Sequence, residues 1–326
     1  MFNVSLFVLF KFWVNVATHY LIQIYTFKLI DYIKILFLSI DIQRLLYIEY
    51  LDFRRNISQE TGLSSNKKVA KFHHSKIVIY DSGKVLLIGS IHKMYNSLKG
   101  IKAPNYNAQN DKGYNGNQFS LDNTLEMIKY LQELFDCKPK QMLIRSIEFG
   151  INTKPFFNPN LFIKGLLFHR NIEFEYRFKR NLAQAIHQQF ILKIYNKSNQ
   201  YGMLKSTLRI EVKYLKMINL NKAGIKTLAD INNETLNKVK LLLLKRFDEV
   251  VYYDYTIRKK ELNKLQKKAI LKYSNPLYWI EDLEPNRRNR PKNRLKDIIH
   301  NHSDNLHQKL RREIITKCVI NNQLLK

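Results

Sequence analysis

The sequence predicts an α+β fold: an antiparallel sheet with helices on one face, followed by a helical C-terminal extension. Three observations carry that expectation. Apolar and polar residues alternate with a period of two in the stretches around 71–96, 141–152 and 189–216. Within the last stretch, the loop between "QQFILKIYNKS" and "STLRIEVKYLK" is too short for a parallel crossover, so these two runs pair antiparallel. After Gly224 the apolar spacing becomes helical and stays so to the end.

Taken in order, "KFHHSKIVIYDSGKVLLIGSIHKMYN" is two apolar runs split by Asp81-Ser82-Gly83, a hairpin signal. In its second run Leu86, Ile88, Ser90 and His92 share one strand face. Residues 100–117 are polar and rich in Gly and Asn, hence a loop. Leu121, Leu125, Ile128, Leu131, Leu134 and Phe135 fall at helical spacing, with Ser120 or Asp122 as cap. "QMLIRSIEFGIN" is a strand and "NPNLFIKGLLFH" a short helix or a turn plus helix. "QQFILKIYNKS" and "STLRIEVKYLK" form the paired strands. "NNETLNKVKLLLLKRFDEVV" and "RKKELNKLQKKAILKY" are amphipathic helices. "NRRNRPKNRLK", at 286–296, reads as a basic, Pro-containing linker before a last helix. The implied organisation is an apolar leader at 1–28, an α+β domain at 29–222 and a basic helical region at 223–326.

The chain has 326 residues, 45% of them hydrophobic, enough for a sizeable core. Lys and Arg number 55 against 27 Asp and Glu, a formal charge of +28. Such an excess suits a polyanion, nucleic acid first and an anionic membrane surface second. The two cysteines, Cys137 and Cys318, make neither a disulfide framework nor a zinc motif, and fit a reducing, cytoplasmic compartment. The leader "MFNVSLFVLFKFWVNVATHYLIQIYTF" is apolar but interrupted by Lys11 and diluted by Asn15, His19 and Gln23. Three readings of it stand: a poor membrane anchor, a buried helix, or upstream sequence joined by a misplaced start codon.

Strand alternation singles out one surface. Phe190, Leu192 and Ile194 point to one side of their strand, and Lys193, Tyr195 and Lys197 to the other. Leu208, Ile210 and Val212 oppose Arg209, Glu211 and Lys213 in the same way. Pairing therefore gathers Lys193, Tyr195, Arg209 and Glu211 on one open, charged face, and Glu148 points away from the surface that Ile147 and Phe149 pack on. A tyrosine oxygen is a competent nucleophile when activated. Carboxylates and a histidine hold a hard divalent cation, here Mg²⁺ or Mn²⁺, with Glu148, Glu211 and one of His73, His74 or His92 as candidate ligands. Arg209 and Lys213, and Arg287, Arg288, Arg290, Lys292 and Arg294 in the basic stretch, are candidate phosphate contacts. Tyr278 and Trp279 are aromatics near that stretch, the second better suited to a core. Plainer readings stand beside these. Tyr195 is one of 19 tyrosines, Glu211 between cations makes a cross-strand ion pair, and basic helices present solvated faces.

The order of blocks resembles the replication-initiation endonucleases of filamentous phages and their plasmid and prophage relatives, over about residues 30–250. "LIDYIKILF", "GSIHKMYN" with "YNGNQFS", "IRSIEFGIN", "KIYNKSNQY" and "LRIEVKYLK" each resemble a family block. The resemblance implies a rolling-circle initiator. It would nick single-stranded or extruded origin DNA through Tyr195, leaving a 5′-phosphotyrosine and a free 3′ hydroxyl. Lys193 or Lys197 would be the neighbouring cation, Glu148 and Glu211 the acidic positions, and host replication proteins further partners. The sequence departs from the family at Tyr114, where relatives carry a histidine before Asn115; His92 is the substitute ligand expected. The resemblance also places 1–28 before the domain, which favours the misplaced start over a membrane anchor. Two rivals stand: a non-catalytic DNA-binding regulator on the same scaffold, and a membrane-associated basic protein.

Overall fold

A computed structural model describes residues 30–107, 113, 115–117 and 119–318. The apolar leader and Tyr114 lie outside the described residues.

The strands are β1 (Ile30–Phe37), β2 (Arg54–Ile57), β3 (Ser64–Phe72), β4 (Ser75–Tyr80), β5 (Val85–Ser90), β6 (Met142–Thr153), β7 (Leu166–His169), β8 (Ile172–Glu173), β9 (Glu175–Arg177), β10 (Leu182–Ile186), β11 (Phe190–Asn196), β12 (Leu208–Tyr214) and β13 (Val250–Tyr252). The helices are α1 (Ile42–Leu46), α2 (Ile91–Leu98), α3 (Leu121–Phe135), α4 (Pro159–Lys164), α5 (Lys197–Tyr201), α6 (Ile218–Lys222), α7 (Asn233–Asp248), α8 (Lys264–Tyr273), α9 (Pro276–Ile280), α10 (Asn289–His302) and α11 (Leu306–Cys318).

Ten strands form one sheet in the order β2-β3-β4-β5-β1-β6-β12-β11-β10-β9, every pair antiparallel. The expected α+β class with its antiparallel sheet and helical C-terminal region holds. The register is also as alternation requires: Lys193 faces Glu211 and Tyr195 faces Arg209 across β11 and β12. On β6 and β12, Ile147, Phe149, Ile151, Ile210 and Val212 are fully buried. Helices α7 and α11 pack against these strands and each other, which closes the main core.

Three segments differ from expectation. The run through His92 does not stay extended. The Ser90 hydroxyl accepts from the Lys93 amide and caps α2, so the chain turns helical at Ile91. "NPNLFIKGLLFH" is helix α4 only to Lys164; "LLFH" is strand β7, paired with β8 and β13. Residues 286–296 are not an irregular linker. They form a 3-10 turn, Pro285–Arg287, and the start of α10. Pro291 falls in the first turn of that helix, where no intrahelical donor is needed.

A second core sits beside the three-stranded sheet. Trp279 is fully buried there against Phe168, and its indole Nε1 donates to the Tyr273 carbonyl at 2.9 Å. Leu295, Ile298 and Ile299 bring α10 onto the same cluster. Replacing Trp279 with Ala should destabilise the protein by about 3–5 kcal/mol through the cavity left behind. Chemical denaturation checks it, with loss of amide protection concentrated in α8–α10.

Candidate nucleic-acid site around Tyr195

The polar face of β6, β12 and β11 builds the site. Its floor is a chain of four ionisable side chains. Lys193 Nζ donates to Glu148 Oε2 and to Glu211 Oε1, at 3.1 Å each. Arg209 Nε donates to Glu211 Oε2 at 2.6 Å, and its other nitrogens reach Asn152 Oδ1 at 3.2 Å and Asp31 Oδ2 at 3.4 Å. Tyr195 completes the group, its hydroxyl donating to Glu211 Oε2 at 3.3 Å.

Local structure explains why these side chains meet. The register Glu211↔Gly150 sets a glycine opposite the carboxylate. A Cβ on Gly150 would lie 2.7 Å from Glu211 Cβ and 2.9 Å from Arg209 Nη2, so only glycine lets the guanidinium cross the strand. Asp31 sits where β1 shifts register against β6, between Ile30 and Ile33. Such irregularities re-aim a side chain, and Asp31 also accepts from Ser90 Oγ at 2.5 Å.

The expected open face is closed over Arg209 and Glu211 and half-open at Lys193 and Tyr195. Arg209 and Glu211 are only 3% and 2% exposed. Helix α5 folds back against β12. Burial, and then Asp31, pushes the phenol of its Tyr201 up. Taking these charges out of water is costly unless each is paired, and here each one is.

The electrostatics follow. For Glu148, burial first and the neighbouring Glu211 carboxylate second raise the proton affinity, so Glu148 is the proton-holding member of the pair. For Glu211, burial would raise it, but Arg209 and Lys193 outweigh burial and keep it ionised. Lys193 behaves alike: burial opposes its charge, and the two carboxylates hold it charged. The Tyr195 hydroxyl is pushed well up, by burial first and then by Glu211. A phenol in that state is a hydrogen-bond donor and not a phenolate.

Above this floor lies a cavity of about 530 Å³ lined by residues of β10–β12, α5 and the β9–β10 turn, Lys193, Tyr195 and Glu211 among them. That volume suits a small ligand or a segment of chain. Tyr195 is half-buried, with its ring at the cavity and its hydroxyl on Glu211.

The remaining candidates are placed elsewhere. Lys197 starts α5 and is buried, off the strand face that alternation assigned to it. His92 is buried on α2, stacked on Phe119, with Nε2 at 3.0 Å from Asn117 Oδ1. His73 and His74 form the β3–β4 turn, both with positive φ. Among the described residues no group of three His, Cys, Asp or Glu side chains is placed to hold a metal. Lys193 Nζ occupies the bridging position between the two carboxylates that a divalent cation would take. The donor set therefore does not fit Mg²⁺ or Mn²⁺ as arranged.

Lys213 is half-buried, its ammonium 3.9 Å from the centre of the Tyr32 ring. In the basic stretch, Arg287, Arg290 and Arg294 are exposed. Arg288 is not. It is buried and donates to the carbonyls of Leu283 and Ile280 and to Asn171 Oδ1. It is a strut of the second core. Lys292 is half-buried over the Phe168 ring. Sequence reasoning missed Asp31, Asn152 and Gly150. The one legible signal was Asp31, a lone acid inside the apolar run "LIDYIKILF".

No family model matches the chain, and no curated protein matches it. Among solved structures the chain is similar to a rolling circle replication initiator protein from Geobacillus stearothermophilus, with 10% sequence identity and a TM-score of 0.35, over 72% of this chain and 88% of that one. A likeness at that score carries no functional argument. Among the described residues no helix is long and apolar enough to cross a membrane.

Two predictions follow from the charges. A group whose folded proton affinity is raised stabilises the fold most at low pH, and that contribution is lost as pH rises through its folded value. Glu148 is such a group, so its share falls as pH climbs from the ordinary glutamate range near 4.5 upward. Glu211 is the reverse, with a contribution present above 4.5 and lost on acidification. Melting temperatures from pH 5 to 9 should therefore decline less in Glu148→Gln than in the wild type. Lys193→Met, which strands two carboxylates, should cost about 3–5 kcal/mol at neutral pH and less at pH 5. Secondly, Arg288→Ala should lower the melting temperature, whereas Arg290→Ala and Arg294→Ala should leave it within about 0.5 kcal/mol of wild type. Calorimetry of the three variants separates strut from surface.

Proposed function

We propose that this chain is a DNA-binding replication initiator of the rolling-circle type that nicks an origin strand through Tyr195. The observation that carries the reading is the placement of the Tyr195 ring at a cavity whose floor joins its hydroxyl to Glu211, Lys193 and Arg209. The block order read from the sequence and the charge of +28 support it.

In this reading Tyr195 Oη attacks the scissile phosphorus. Its proton passes to Glu211 Oε2, the acceptor it already touches. The P–O3′ bond breaks and the departing O3′ takes that proton up from Glu211 by way of water, leaving a 5′-phosphotyrosine and a 3′ hydroxyl to prime synthesis by host replication proteins. Lys193, whose side chain is partly exposed and lines the cavity, offsets charge on the phosphate. Any dependence on Mg²⁺ or Mn²⁺ is an open point of this proposal for the assay to measure, because Lys193 holds the two acids that a cation would need.

A second reading has an observation of its own. The pushed-up phenol and the Lys193 bridge describe a resting, internally neutralised site, which suits a DNA-binding regulator that does not cut. One experiment decides between them. Wild type and Tyr195→Phe are incubated with supercoiled origin plasmid, with and without Mg²⁺ or Mn²⁺. The initiator reading expects nicking by wild type, a loss of at least about a thousandfold in the variant, and a protein–DNA covalent adduct. Equal nicking by both, or none by either, removes Tyr195 as nucleophile. Binding in both cases should weaken steeply with salt.

A further inference from the structure

The turn joining β9 to β10 has a backbone that its side chains do not favour. Phe178, Lys179 and Arg180 take φ of 51°, 53° and 63°, three successive left-handed residues without a glycine. Glycine would adopt that region with less strain. Strain of this kind is kept where side chains are needed in place. What the turn displays is a Phe ring 76% exposed, with Arg177, Lys179 and Arg180 exposed around it.

The turn is also braced. The Asn181 side-chain amide donates to the Phe178 carbonyl at 2.9 Å. Asn160 and Asn199 both donate to Asn181 Oδ1, at 3.1 and 3.0 Å. The Asn196 amide donates to the Asn181 carbonyl at 2.8 Å, which fastens the turn to the residue following Tyr195. Leu182 pairs with Tyr195 itself. Arg177 and Phe178 line the same cavity as Tyr195 and Glu211. An exposed aromatic ring with cations as chain neighbours, on a braced turn that lines that cavity, has the chemistry of a stacking platform for an unpaired base.

We propose that the β9–β10 turn is a single-strand clamp, with Phe178 stacking on an unpaired DNA base and Lys179 and Arg180 pairing with the flanking phosphates. The proposal rests on the reading that the Tyr195 cavity receives a DNA strand, and it names the form of that DNA. A duplex hides its base faces inside the stack, so the platform selects unpaired strand. The clamp would also set which nucleotide lies over the Tyr195 hydroxyl.

The test uses the full chain and two fluorescent probes, a 15-nucleotide oligothymidylate and a 15-base-pair duplex, without added divalent metal. Phe178→Ala is expected to weaken binding of the single strand by about five- to hundredfold. Duplex affinity should stay within about twofold, and the salt slope for the single strand should not change, because a stacking contact releases no counterion. Phe178→Trp should keep wild-type affinity. Lys179→Gln with Arg180→Gln should instead reduce the salt slope by about 1.4. Phe178 is exposed, so equal melting temperatures are expected for the variants. If Phe178→Ala binds the oligothymidylate as wild type does, or loses both probes equally, the clamp is wrong. If wild type binds neither probe, the DNA reading falls and the clamp with it. If the selective loss is seen while Tyr195→Phe nicks as wild type does, the clamp stands and the nucleophile assignment fails.

Discussion

The structure turns on a carboxylate that has to stay charged where water is scarce. Glu211 is 2% exposed in the middle of a ten-stranded sheet. Alone, it would cost several kcal/mol and would take up a proton. Arg209 and Lys193 prevent that from two sides, and each choice propagates. Arg209 must cross toward β6, so position 150 must lack a side chain. The guanidinium then needs Asp31 and Asn152, which ties the first described strand to β12. Lys193 reaches a second acceptor oxygen, and Glu148 supplies it while keeping its proton.

This arrangement gives the Tyr195 cavity a floor that is near neutral in sum and sharply polar in detail. Its hydroxyl is held in one direction by an acceptor that stays ionised. Preorganised polar groups of this kind cost no reorganisation when a charged ligand arrives. The same feature explains why the site looks at rest. The cation between the two carboxylates is covalently attached to the protein, so it cannot be diluted away and its position is fixed by strand register.

How much of this was legible in the sequence depended on the length scale. Period-two alternation is a local property, and it placed Lys193, Tyr195, Arg209 and Glu211 on one face in the correct register. It could not say how open that face is, because the burial of Arg209 and Glu211 and the packing of α5 against β12 arise only in tertiary folding. His92 was misplaced because a serine cap outcompetes strand propensity at Ser90. The basic run at 286–296 was read as a linker because Pro291 and its charges suggest one. In the folded chain that Pro sits in a helical first turn, and Arg288 is drawn inward to three acceptors. Gly150 and Asn152 carried no signal, since their roles exist only opposite Arg209.

The position of β1 has a consequence for how the protein comes into being. It is the earliest strand described, yet it lies between β5 and β6. One of its ion pairs spans 178 positions of sequence, from Asp31 to Arg209. During synthesis β1 leaves the ribosome long before β6 and β12 exist, an apolar ribbon with both hydrogen-bonding edges unpaired. Pairings this distant in sequence form slowly, and unpaired edges of this kind invite association with other chains. The strand that anchors the finished sheet is thus the one most in need of shelter while the sheet is being made.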